Sequence, residues 1–176
     1  MAETELFARF ALAAVFLCSS VSKLWSLSEF DEAVRTLGRL PARFARPVGL
    51  AVIVSESAVC VLLAIPGTAR YGFALAGALL LLFTGLLARA LRAQAAGGTA
   101  VSCACFGAGT STVSGLHLAR NGALLALTAT GIALPAAGTA ASLTSTGPAA
   151  AVASALLLAL VIVLLEDLAF LYGPER

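Results

Sequence analysis

Cys103 and Cys105 stand one residue apart in the stretch Val101-Ser102-Cys103-Ala104-Cys105-Phe106-Gly107. A thiolate attacks disulfides, and two thiols in reach of each other cycle between dithiol and disulfide. A bridge across one intervening residue is tight, and strained bridges are oxidising and labile. The pair therefore suits electron transfer better than structural stapling. Two alternatives stand beside this. Cys103, Cys105 and nearby His117 make a soft ligand set of the kind that selects Cu(I) or Zn(II). Two cysteines can also be plain small apolar side chains.

Other residues add to this chemistry. Glu56 falls in the middle of an apolar run, where a carboxyl is expensive and marks a functional or clamping position with a partner. Arg120 and Asn121 are the partners expected first, with Lys23 as the alternative. His117 and Arg120 are three residues apart, on one helical face, where a cation would favour a thiolate. An interfacial role for His117 is the plainer alternative. Cys18 and Cys60 lie within apolar runs and read as buried small hydrophobes or as a second redox pair. Glu166-Asp167 read as interfacial.

The elements that must position these residues are apolar helices. Of the 176 residues, 60% are hydrophobic and 11% charged, and the mean hydropathy is +1.00. Soluble domains hold roughly 45–50% apolar and about 25% charged residues. This composition defines an integral membrane protein. The net charge of +2 and the absence of a basic, aromatic-interleaved patch exclude a nucleic-acid binder. Metal ligands beyond the cysteines and His117 are not evident, and no cofactor is dictated by the residues themselves.

A spanning helix needs about 20 apolar residues. Five segments qualify, near residues 6–24, 47–65, 71–91, 116–137 and 148–172. The first is expected to be a retained helix, since its acidic start and lack of a small-residue cleavage site do not fit a signal peptide. Lys23 and Trp25 read as its interfacial anchors. Pro47 is placed at the start of the second span, where its missing N–H is harmless. Between the first two spans, Phe30, Ala33, Val34 and Leu37 recur at i, i+3, i+4, i+7, with Ser28 as N-cap. That spacing predicts a short amphipathic helix on the membrane surface. The expected fold is an all-α integral membrane protein: a four-helix transmembrane core, a fifth C-terminal span and a short surface helix. Residues 1–137 form the bundle, and residues 138–176 a linker and the fifth helix.

The cysteines belong to the long connection at residues 93–113, with a Gly97-Gly98 hinge before them and an N-cap cluster, Ser111-Thr112-Val113-Ser114, after them. Long connections without periodicity are functional or disordered. Lys23, Arg35, Arg39, Arg43, Arg46, Arg89, Arg92 and Arg176 share the side of this loop, and Arg9 and Arg70 lie on the other. The positive-inside rule then places the loop in the cytoplasm of a bacterial inner membrane.

Taken together, Ser20-x-x-Lys23-Leu24, Phe30 with Ala33-Val34, Leu40-Pro41, Glu56, Cys103-x-Cys105-Phe106-Gly107 and Arg120-Asn121 resemble the family of the methylamine utilisation protein MauE and its DoxX-like relatives. The likeness runs from about Leu6 to Leu127. It implies a four-helix core distantly similar to vitamin K epoxide reductase, which couples thiol–disulfide exchange to a quinone. It also implies an accessory role in maturing a periplasmic, disulfide-rich enzyme such as methylamine dehydrogenase, beside a thioredoxin-like partner. The reductases place Cys-x-x-Cys near the quinone, whereas this chain has Cys-x-Cys in a loop. A metal carrier and a non-catalytic assembly subunit are the alternative functions. A periplasmic partner would need the loop outside, against the charge distribution, or a relay of electrons across the bundle.

Overall fold

A computed structural model describes residues 2–65, 67–97, 115–133, 149–150 and 152–161. Among them the secondary structure is helical throughout: α1 (Ala2–Trp25), α2 (Leu27–Gly38), α3 (Ala42–Ala64), α4 (Ala69–Ala95) and α5 (Gly115–Ala133). A shorter apolar helix covers Val152–Val161. Three helices, Glu3–Trp25, Ala42–Ala64 and Ala69–Ala95, are long and apolar enough to cross a membrane. At 19 residues, α5 measures about 28 Å at 1.5 Å per residue, close to the hydrocarbon thickness. Its first two turns carry His117, Arg120 and Asn121, which lowers its apolarity and brings polar groups into the bundle.

α1, α3, α4 and α5 form a ring in which α1 packs on α3 and α5, and α4 packs on α3 and α5. The core is built from side chains of all four, including Leu12, Val15, Leu63, Phe73, Leu80 and Leu124. Ala155 and Ala159 of the Val152–Val161 helix are buried, and Ala159 joins this core. Gly131 sets how closely α5 approaches α4, because a Cβ there would overlap the Phe73 ring.

The antiparallel register of α1 and α3 is fixed at the far end of the bundle by Arg9. Its Nε and Nη2 donate to the Leu63 carbonyl at 2.9 and 2.7 Å. The last carbonyls of a helix have no intrahelical partner, and an arginine there also complements the helix dipole. Thr68 closes the next turn by donating its hydroxyl to the Leu62 carbonyl at 2.7 Å.

The helix starts differ from expectation in two places. α2 begins at Leu27 with Ser26, not Ser28, at the N-cap position, and Ser26 makes no side-chain cap bond. Only the turn at Ser26 separates it from α1: the Ser26 N–H still donates to the Ser22 carbonyl of α1 at 3.2 Å, and the Ser26 carbonyl already accepts the first bond of α2, from the Phe30 N–H at 2.9 Å. α3 begins at Ala42 after Pro41, which leaves Pro47 inside the helix. The bond lost there is the one to the Arg43 carbonyl, at an exposed residue where water can replace it. The amphipathic pattern of α2 holds: Phe30 and Ala33 are buried. Gly49 lets α2 settle on α3, since a Cβ there would come within 2.9 Å of Asp31 Oδ1 and 3.4 Å of the Phe30 ring.

The Cys103–Cys105 pair, Gly98, the Ser111–Ser114 cluster and Glu166-Asp167 lie outside the described residues.

Candidate functional site

The site begins with a helical spacing. Ser19 and Lys23 are four residues apart on α1, hence on one face, and that face turns toward α3. Lys23 Nζ donates to Glu56 Oε1 at 2.6 Å and to Ser19 Oγ at 2.5 Å. Ser19 Oγ donates to the same Glu56 oxygen at 3.2 Å, and Ser20 Oγ donates to Glu56 Oε2 at 3.3 Å. Lys23 and Glu56 are 2% and 1% exposed. A buried ion pair survives only where geometry and further hydrogen bonds offset its desolvation, and the two serines do this for the carboxylate. Two aromatic rings flank the cation: Lys23 Nζ lies 5.3 Å from the Phe30 centroid and 5.6 Å from that of Phe83, within cation–π range.

Lys23 therefore takes the place expected first for Arg120 and Asn121 as the direct partner of Glu56. The ring order of the helices explains this, because α3 packs on α1 and α4 while α5 packs on α4 and α1. Lys23 is also not an interfacial anchor. Trp25, two residues on, is 86% exposed and fits that role alone.

α5 brings its own residues to the same place. His117, Arg120, Asn121 and Leu124 fall at i, i+3, i+4, i+7 and line one cavity of about 30 Å³ with Lys23 and Glu56, room for one or two waters. His117 is 8% exposed and Asn121 9%, so the histidine is an inward-facing group rather than an interfacial one. The cavity thus collects two cations, one carboxylate, an imidazole and an amide from α1, α3 and α5, while α4 supplies apolar walls through Leu80, Phe83 and Leu87. Beside it, the last turns of α4 pack on α2 and α5 through Leu37, Leu87, Ala90 and Leu118. This is the end of the bundle where α4 leaves at Ala95 and α5 begins at Gly115. Gly97 adopts φ 83° just past α4, a left-handed conformation that glycine takes without strain.

Cys18 and Cys60 are both free thiols, Cys18 exposed and Cys60 half-buried. They sit on the adjacent helices α1 and α3, and Cys60 Sγ donates to the Ala13 carbonyl of α1 at 3.4 Å. Among the described residues, no three of His, Cys, Asp and Glu cluster as a metal site. The Cys103, Cys105 and His117 set has two of its three members outside them.

Sequence reading missed Ser19 and Ser20 as ligands of the carboxylate, although Ser19–Lys23 spacing carried the signal. It also missed Arg9 as the cap of α3.

Apolar helices of spanning length closed around a charged, hydrogen-bonded interior define a multi-pass, all-α integral membrane protein with a polar site at one end of its bundle. The family model of the methylamine utilisation protein MauE matches residues 1–134. One relative, the methylamine utilization protein MauE of Paracoccus denitrificans, is 39% identical over 132 residues, covering 73% of this chain and 69% of that protein. The chain belongs to the MauE family. No solved structure matches it.

Proposed function

We propose that this protein performs thiol–disulfide exchange at the bacterial inner membrane through Cys103 and Cys105. In this reading it supports maturation of a periplasmic, disulfide-rich enzyme of the methylamine dehydrogenase kind. One observation carries it: Lys23, Glu56, His117 and Arg120 share a cavity at the end of the bundle where segment 98–114, with both cysteines, leaves α4 and returns to α5. The name of the Paracoccus relative links the family to methylamine utilisation.

The exchange runs in two steps. A thiolate of the pair attacks the disulfide of a thioredoxin-like partner, forming a mixed disulfide and expelling one partner thiolate. The second cysteine attacks the mixed disulfide at its neighbour's sulfur, closing the Cys103–Cys105 bridge and expelling the second partner thiolate. Two electrons pass to the partner, and two protons follow to its thiolates. The reverse sequence reduces the bridge and oxidises a partner dithiol. In this reading Arg120, early in α5, is the cation that favours the attacking thiolate, and Glu56 with its serines holds Lys23 within the bundle.

The exposed Arg39, Arg43, Arg46, Arg89 and Arg92 stand near this end of the bundle, which the positive-inside rule assigns to the cytoplasm. Delivery to a periplasmic enzyme then requires a relay, and Cys18 with Cys60 on facing helices are the thiols available for it. The cysteine pair needs no metal in this scheme.

Mixed-disulfide trapping tests the proposal. A Cys103→Ser or Cys105→Ser chain retains one thiol of the pair without its resolving partner, so one of the two variants accumulates a reductant-sensitive adduct with a thioredoxin-like protein, located on the remaining loop cysteine rather than on Cys18 or Cys60. Absence of any adduct from both variants, with activity retained, removes the exchange reaction.

A further inference from the structure

A second cavity, of about 220 Å³, lies between the underside of α2 and the helices α3 and α4. Its walls are apolar: Val34 and Leu37 from α2, Val48 and Val52 from α3, Leu82 and Leu86 from α4. Two of these mark its open side, since Val48 is 38% and Leu82 54% exposed. The cavity therefore opens sideways, into the region the spanning helices give to hydrocarbon. The roof is a surface helix, and Trp25 at the end of α1 just before it, 86% exposed, marks the headgroup level. An opening that runs from headgroup level down an apolar groove has the shape of a slot for an acyl chain.

The rim is basic at its Leu40 end, while the acid Asp31 lies further along α2 with its carboxylate at Gly49. Gly38 and Leu40 line the cavity, and Arg39 between them is exposed in a left-handed turn at φ 51°. Arg43 and Arg46, also exposed, follow on the first turns of α3 just before Val48. Arg35 is already engaged with Glu32, and Glu29 lies at the opposite end of α2. Each arginine near a membrane surface contributes about 1 kcal/mol of attraction to anionic lipid. We infer that this groove is a binding site for an anionic phospholipid, with one acyl chain under α2 and the phosphate against Arg39 and Arg43.

The inference is independent of the exchange reaction, but the two sites share a wall. Lys23, Phe83 and Leu87 line both cavities, and Phe30 and Phe83 flank the Lys23 cation. A seated chain excludes water from the lipid side of the Lys23–Glu56 pair and holds α2 against α3.

The test uses the full chain reconstituted in vesicles carrying a phosphatidylglycerol probe with a photoactivatable group in its acyl chain. Labelling is expected to concentrate on peptides containing Leu37 and Leu86, and to be displaced by unlabelled phosphatidylglycerol but not by phosphatidylcholine. Leu86→Trp, which fills the groove, should abolish that labelling while the protein keeps its elution volume and helicity. Arg39→Gln and Arg43→Gln should each reduce the preference for phosphatidylglycerol by about fivefold and leave the labelled positions unchanged. Uniform labelling of the exposed apolar faces, around Val54 and Val61 as strongly as around Leu86, would overturn the site. So would equal displacement by phosphatidylcholine or preferential displacement by an uncharged isoprenoid quinone.

Discussion

Lys23 of α1 and Glu56 of α3 meet at 2.6 Å inside the bundle, with almost none of either side chain exposed. Neither charge is tolerable there alone. Lys23→Ala or Glu56→Ala should each destabilise the protein by about 3–5 kcal/mol, because each strands a buried charge. Lys23→Met combined with Glu56→Leu should recover most of that loss, since paired replacement of buried ions by apolar groups is often neutral. Equilibrium unfolding in detergent micelles measures both. If the double variant folds but no longer exchanges disulfides, the pair serves the chemistry rather than the fold.

Close approach of α4 and α5 depends on Gly131. Gly131→Ala drives a methyl into the Phe73 ring and should cost about 1–3 kcal/mol, as overpacking does. Gly85→Ala, also within a helix but with nothing within 4 Å of the new methyl, should be neutral or stabilising by about 0.5–1 kcal/mol. Thermal unfolding of the two variants side by side checks the contrast.

Arg9 ties α1 to the last carbonyls of α3 at the end of the bundle away from the cavity. Arg9→Gln should lower stability by about 1–3 kcal/mol, the value of hydrogen bonds to a charged group, while leaving thiol exchange intact. A loss of exchange without a loss of stability would contradict this division between the two ends.

Glu32 and Arg35 form the exposed pair on α2, with Arg35 Nε donating to Glu32 at 2.8 Å. The Arg35 hydrogen bond and charge hold the Glu32 carboxyl below its ordinary value of 4.5. A lowered folded value means the pair supports α2 above pH 4.5 and lets go as the pH falls through the folded value. NMR titration of a labelled Glu32 should give a midpoint below that of the Arg35→Gln variant. Equal midpoints would show that the pair does not form in solution.

The membrane class, the helix order and the surface helix were legible because apolar length and the i, i+3, i+4, i+7 spacing of Phe30, Ala33, Val34 and Leu37 are properties of the chain itself. Glu56 was legible as an interior carboxyl for the same reason. Its partner was harder to read. Hydropathy records that Lys23 ends an apolar run, but not which way the helix faces at that point, so an inward lysine and an interfacial one look alike. Only the joint spacing of Ser19, Ser20 and Lys23 carries that orientation. His117 raised the same difficulty, and its burial comes from the packing of α5 on α1 and α4. The start of α3 differs because Pro47 resembles an N1 proline, while the helix begins at Ala42 with Pro41 at its N-cap position. The groove under α2 has no signature in the sequence, since it arises from the gap left where one helix crosses two others.

Thiol–disulfide exchange stands or falls on the redox behaviour of Cys103 and Cys105. Acid-quenched membranes, alkylated with a mass-shifting maleimide before and after reduction and digested to separate the Cys103–Cys105 peptide from those of Cys18 and Cys60, report the state of that pair directly in the otherwise unaltered chain. The pair is expected to be split between dithiol and disulfide forms, the ratio to move when the thioredoxin-like partner is removed, and Cys103→Ser and Cys105→Ser both to abolish maturation of the dependent enzyme. A pair that stays fully reduced in every condition, together with Cys→Ser variants that mature the enzyme normally, would contradict it.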